Sequence, residues 1–255
     1  MQLNQTIAAV VTGGASGLGA ATAHMLAREG VRVTIFDRDK EQGEATAEEI
    51  GGLFVEVDVT DQESVETGFA AARHAHGVER LLVNCAGIAP VAKTVSRGEP
   101  HPMDMFEKVI AVNLIGSFRC TSLAAASMAA QEPINEDGAR GVVISTASVA
   151  AFDGQVGQVA YAASKAGIAG MTLPIARDLS QSGIRVMTIA PGIFETPMLL
   201  GLSQEVQDSL GKQVPFPSRL GRATEYAQLV KSICENEMLN GETIRLDGAI
   251  RMAPR

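Results

Sequence analysis

The stretch "IAAVVTGGASGLGAATAHMLAREGVRVTIFD" at residues 7–37 opens on small and β-branched apolar residues and breaks at Gly13, Gly17 and Gly19. An Ala-rich segment of helical length follows, and a second β-branched run ends at Asp37. Strand, glycine turn, helix and strand in that order form a crossover unit, which predicts two parallel strands with a helix laid across one face. Glycine at such a turn allows tight chain reversal and close approach of backbone to a pyrophosphate, whose charge is met by the helix N-terminus. The spacing departs from G-x-G-x-x-G, because Thr22 stands in the place of the last glycine.

The alternation continues along the chain. The runs "LFVEVDV", "RLLVNCA", "GVVISTAS", "IRVMTIAP" and "ETIRLDG" bring the strands to seven, and helical stretches fall at 17–30, 40–50, 61–76, 104–130, 159–181 and 224–236. This pattern predicts an α/β fold, a doubly wound Rossmann-type domain whose seven-stranded parallel sheet is covered by helices on both faces. A single domain over residues 1–255 is expected, since such domains often reach about 250 residues. The stretches "IAPVAKTVSRGEPHP" and "EPINEDGARG" read as surface loops. Ligands of such sheets bind beyond the carboxyl ends of the strands, near the switch in strand order. The chemistry-bearing residues are expected there.

Composition narrows the class. Apolar residues make up 46% and charged residues 20%, as in an ordinary globular protein. A formal charge of −8 without a Lys/Arg cluster speaks against nucleic acid. Apolar runs broken by Gly, Ser or Thr speak against a membrane span. The start of the chain carries no basic leader, and Cys85, Cys120 and Cys234 form no C-x-x-C, so a reducing, cytoplasmic setting is expected, with the mitochondrial matrix as the eukaryotic alternative. His74 and His76 are two apart and would face different ways on a helix, and no metal site is expected.

Asp37 ends the second strand eighteen residues beyond Gly19. A carboxylate there accepts hydrogen bonds from ribose hydroxyls and repels a 2′-phosphate, which predicts NAD rather than NADP. The adjacent Arg38 would soften that preference. Further along, "VAYAASKAG" at residues 159–167 places Tyr161 and Lys165 four apart, so that a helix would carry both on one face.

With these motifs in order, the chain resembles the short-chain dehydrogenase/reductase family over essentially its whole length. T-G-x-x-x-G-x-G matches Thr12 to Gly19, N-x-A-G matches Asn84 to Gly87, Y-x-x-x-K matches Tyr161 and Lys165, and Ser148 stands thirteen residues before the tyrosine. The resemblance implies a secondary-alcohol oxidoreductase with Asn113, Ser148, Tyr161 and Lys165 as its catalytic set. Tyr161 would be the base. Lys165 would favour its phenolate and hold the nicotinamide ribose, Ser148 would donate to the substrate oxygen, and Asn113 would help position a relay water. The implied cofactor contacts are Gly13, Ser16, Gly17, Leu18, Gly19, Asp37, Asp58, Val59, Asn84, Cys85, Gly87, Tyr161, Lys165, Pro191, Phe194 and Thr196. Substrate would meet Ser148, Gln155 and Tyr161.

Within the family, residues 140–255 look most like members that oxidise short- or branched-chain 3-hydroxyacyl-CoA, sometimes hydroxysteroids, in the breakdown of fatty acids and branched-chain amino acids. Glu195 falls where such members carry a small residue. Residues 195–216, with Met198, Leu199, Leu200 and Leu202, read equally as a substrate lid or as a surface helix with a buried Leu face. A homotetramer is implied, formed through the helices of "NLIGSFRCTSLAAASMAA" and "YAASKAGIAGMTLPIA" and the last strand. The alternatives are the same chemistry on a polyol, sugar or acyl-carrier-protein thioester, or a non-catalytic NAD-binding scaffold; the intact Ser148, Tyr161 and Lys165 argue against the scaffold.

Overall fold

The computed structural model describes residues 1–196, 199, 201 and 203–254. From the N-terminus run β1 (Ala8–Thr12), α1 (Gly17–Arg28), β2 (Arg32–Asp37), α2 (Lys40–Ile50), β3 (Leu53–Glu56), α3 (Gln62–His76) and β4 (Leu81–Asn84). A small hairpin, β5 (Val95–Ser96) with β6 (Glu99–Pro100), leads to α4 (Met103–Ile110), a π-helical turn (Ala111–Gly116) and α5 (Ser117–Ala129). Then come β7 (Gly141–Thr146), α6 (Val159–Asp178), β8 (Ile184–Pro191), α7 (Gln204–Gly211), α8 (Ala223–Glu235) and β9 (Thr243–Leu246).

The sheet has seven strands in the order β3-β2-β1-β4-β7-β8-β9, every pair parallel. From β1 the chain winds outward to β3, then returns past β1 to start β4. The switch point lies between β1 and β4, where a crevice opens at the carboxyl ends.

Alternation along each strand divides the core in two. Ala9, Val11, Leu81, Val83, Val142 and Ile144 face a cluster with Leu26 of α1, Ala47 of α2 and Tyr226, Val230 and Ile233 of α8. Val10, Leu82 and Val143 face Phe69 of α3, Cys120, Ala124 and Met128 of α5 and Ala176 of α6. The central strands β1, β4 and β7 are buried on both faces because both are roofed by helices, which is why their runs read as continuous rather than alternating.

Two elements depart from the sequence reading. The loop at 88–102 contains a hairpin, turned by Arg97 and Gly98, both at positive φ. The helix expected at 104–130 is interrupted by the π-helical turn, where Ser117 Oγ donates to the Asn113 carbonyl. Helix α7 occupies part of the segment read as lid or surface helix. By length and composition Met103–Ala129 could cross a bilayer, but half of its most apolar stretch is buried inside the fold. Its apolarity serves the core.

Candidate active site

The glycine turn is built so that no side chain fits. Gly13 has φ +64°, and a Cβ there would come within 2.6 Å of the Ala86 nitrogen; one on Gly19 would come within 2.1 Å of the Gly13 oxygen. Gly13 N donates to Phe36 O and Cys85 N to Thr12 O, which draws the ends of β1, β2 and β4 together. Thr22, in the place of the third glycine, is fully buried and turns its hydroxyl back to Leu18 O, so the helix absorbs the extra polar group.

Ser16 caps α1 without a side-chain bond, and the first turn, which includes Leu18, holds no acidic residue. Helices α2 and α3 differ: their N-termini are closed by Asp39 and Asp61. The N–H groups of α1 are thus left to an outside acceptor, which fits a dinucleotide pyrophosphate. The Asp37 carboxylate accepts from Ala15 N at 3.0 Å in the glycine turn, and from Arg38 N and Asp39 N at 2.7 and 3.1 Å. Three of about four acceptor positions are filled, leaving one on Oδ2 for a ribose hydroxyl. Arg38 points its Nε to Asp58 at 3.5 Å. Burial works to raise the Asp58 pKa, but hydrogen bonds from Thr60 and the charges of Arg38 and Arg119 bring it below the usual value.

Val59 is buried against Gly116. Asn84, also buried, donates to Thr121 Oγ1 at 3.0 Å and Ser145 Oγ at 3.3 Å. Gly87 is exposed beside the groove, and a Cβ there would lie 3.3 Å from Asn113 Oδ1 and 3.6 Å from Lys165 Nζ. Asn113 is fully buried and closes this wall: Oδ1 accepts from Ile88 N at 2.8 Å, while Nδ2 donates to Ile88 O at 2.9 Å and Ser164 Oγ at 3.0 Å.

Tyr161 and Lys165 share a face of α6, with the ammonium 5.7 Å from the phenol ring centre. Ser148, two residues beyond β7, accepts from Ala150 N at 3.1 Å and acts to lower the Tyr161 pKa. Lys165 is 4% exposed and donates to Thr146 O at 2.7 Å. Burial brings its pKa down to about 8, with Cys85 pulling the other way. Burial pushes Tyr161 up, only partly offset by Ser148, while the ammonium 5.7 Å from the ring makes its hydrogen bond to Thr146 O.

Cys85 lies between Thr146 and Tyr226, and burial raises its thiol, so it is a packing group rather than a nucleophile. Pro191 ends β8, and Phe194 is buried and bridged to Gly221. Thr196 Oγ1 accepts from Leu199 N at 3.5 Å. Gln155 is half-buried and donates to Ala253 O. Met198, Leu200 and Leu202 lie outside the described residues. Sequence reasoning missed Thr146, Ser164 and Tyr226; the S/T-rich "ISTAS" was a signal for the first, and nothing local marked the other two.

A family model described as short chain dehydrogenase matches residues 7–207. A human protein named 3-hydroxyacyl-CoA dehydrogenase type-2 is 54% identical over 252 residues, 97% of this chain and 96% of that one. Its namesake from Drosophila melanogaster is 52% identical over 249 residues, 96% and 97% of the two chains. A crystal structure of 3-hydroxyacyl-CoA dehydrogenase type-2 from Mycobacterium avium superposes with a TM-score of 0.94 at 43% identity, covering 98% of this chain and 97% of that one.

Proposed function

The chain belongs to the short-chain dehydrogenase family, and on that premise we propose that it oxidises the secondary alcohol of short- or branched-chain 3-hydroxyacyl-CoA to the 3-ketoacyl-CoA, reversibly, with NAD. The dehydrogenase class follows from the family and from the names of its relatives at 52–54% identity. The observation that carries the chemistry is the joint occurrence of Ser148 just beyond β7 with Tyr161 and Lys165 on the first turns of α6, the Lys165 ammonium beside Gly87 after β4.

In this reading Ser148 Oγ–H holds the substrate hydroxyl oxygen, and Tyr161 takes its proton as the carbonyl forms. NAD, when bound, supplies the hydride acceptor. Lys165, fixed on the Thr146 carbonyl, places positive charge near the phenol and offers its remaining hydrogens to a ribose. Asn113 holds Ile88 against α6. Both Nδ2 hydrogens are spent, so a relay water would be held through oxygen acceptors. Gly13, Ser16, Gly17, Leu18 and Gly19 would cradle the pyrophosphate, Asp37 the adenosine ribose, and Asp58, Val59, Asn84, Cys85 and Gly87 the adenosine groove. Pro191, Phe194 and Thr196 would border the nicotinamide end. The free state of Cys85, Cys120 and Cys234 supports a reducing compartment. Exposed Ile115, Phe118 and Leu173 on the π turn, α5 and α6 support the homotetramer.

A panel of 3-hydroxyacyl-CoA esters, hydroxysteroids and polyols, followed by NADH formation, tests the substrate. Turnover is expected on several short esters, including a 2-methyl-branched one, with neighbouring chain lengths differing by at most about 0.8 kcal/mol per methylene. Turnover of a polyol or sugar with none of any acyl-CoA would leave only the dehydrogenase class.

A further inference from the structure

The chain holds two tyrosines, and the second, Tyr226 on α8, has no part in the chemistry above. It is fully buried, in the cluster on the α1 side of the sheet. Its hydroxyl lies 2.7 Å from Thr146 Oγ1 and 3.7 Å from Cys85 Sγ. Thr146 Oγ1 also lies 2.6 Å from the Asn84 carbonyl, to which it can only donate. Having one proton, Thr146 must therefore accept from Tyr226, and Tyr226 accepts from the Cys85 thiol. The chain runs S–H to O–H to O–H to O=C, with each proton used once.

Thr146 is also the residue that anchors the lysine. The β4–β7 ladder ends with Asn84 opposite Ser145, so the Thr146 carbonyl lies beyond that ladder and takes the Lys165 ammonium at 2.7 Å. The N–H of this peptide is held in the β7–β8 ladder, Ala147 N donating to Ile189 O at 2.8 Å, and its Thr146 side chain is held by the Asn84 carbonyl and the Tyr226 hydroxyl, a second restraint on the carbonyl that faces Lys165. We infer that Tyr226 is a positioning residue for Lys165, acting through the Thr146 peptide. The inference rests on the reading of Tyr161 and Lys165 as the acid–base pair. A phenylalanine would fill the same core volume, so an aromatic side chain alone does not explain the buried hydroxyl; a partner for Thr146 does. The titratable groups facing Lys165 are Tyr161 from α6 and Cys85 from the segment after β4, and Cys85 also faces Tyr226.

The test is the pH profile of kcat/KM for oxidation of a short 3-hydroxyacyl-CoA by the full-length protein. Tyr226→Phe keeps the ring and removes the hydroxyl. With Lys165 less firmly held beside the phenol, the acid limb should move up by about half a pH unit or more, and kcat should fall several-fold. Thr146→Val should shift the limb in the same sense, and Thr146→Ser, which restores the hydroxyl, should recover most of it. Val230→Ala, on the same helix and in the same cluster, should lower Tm with no movement of the limb. A wild-type limb and kcat in Tyr226→Phe would overturn the inference, whatever its Tm. If Tyr226→Phe fails to fold, equal limbs in Thr146→Val and Thr146→Ser would overturn it too. Tyr161→Phe separates the two levels: retained turnover there refutes the acid–base reading itself, whereas lost turnover with an unmoved Tyr226→Phe limb refutes only the positioning role.

Discussion

Lys165 answers two opposed demands. Its ammonium is needed beside Tyr161, yet it is 4% exposed, and burial brings its pKa down to about 8 from 10.5. A cation with a depressed folded-state pKa costs stability below that value, because the unfolded chain binds the proton more tightly. The cost is fully present below about 8 and is relieved as pH rises toward 10.5. Without NAD, wild-type Tm should therefore gain more, or lose less, between pH 7 and pH 9 than the Tm of Lys165→Met, measured by calorimetry in matched buffers. Identical pH dependence in the two proteins would show that Lys165 is not strained by burial. Cys85 illustrates the opposite case, a thiol raised by burial and left inert.

Among the elements, the β1–α1 turn was legible because its demands are local. Gly13, Gly17 and Gly19 are needed where φ is positive or where Gly13 O stands 2.1 Å from a would-be Cβ, and both needs mark the sequence directly. Gly19→Ala would force that turn open. The helix gains up to about 1 kcal/mol of propensity, but the clash is with backbone and cannot be relieved by a rotamer change. NAD affinity in a fluorescence titration should fall tenfold or more while the far-ultraviolet circular dichroism is kept; unchanged affinity would mean that this turn is not the pyrophosphate cradle. The π-helical turn at Ala111–Gly116 was not legible, since "AVNLIG" carries an ordinary apolar helical pattern and the irregularity depends on Ser117 reaching Asn113 O. The hairpin at Val95–Pro100 left a trace in Arg97-Gly98, but two-residue strands lie below the length at which alternation can be read.

Across the whole molecule, what the sequence revealed depends on how far apart the partners lie. Tyr161 and Lys165 are one helical turn apart, and Ser148 and the glycines fall at strand ends, so the core of the site could be read from spacing. Thr146 and Tyr226 are 80 residues apart and meet only once β7 and α8 pack. Asn113 and Ile88 likewise join only when α4 and its π turn fold back on β4. The central claim is that Tyr161 exchanges the substrate proton. The most direct measurement is turnover of a short 3-hydroxyacyl-CoA by Tyr161→Phe, with NAD binding followed in parallel. The account predicts turnover lowered by at least about a thousandfold, within the 10²–10⁴ range of general acid–base catalysis, with NAD affinity close to wild type. Activity within tenfold of wild type would contradict it.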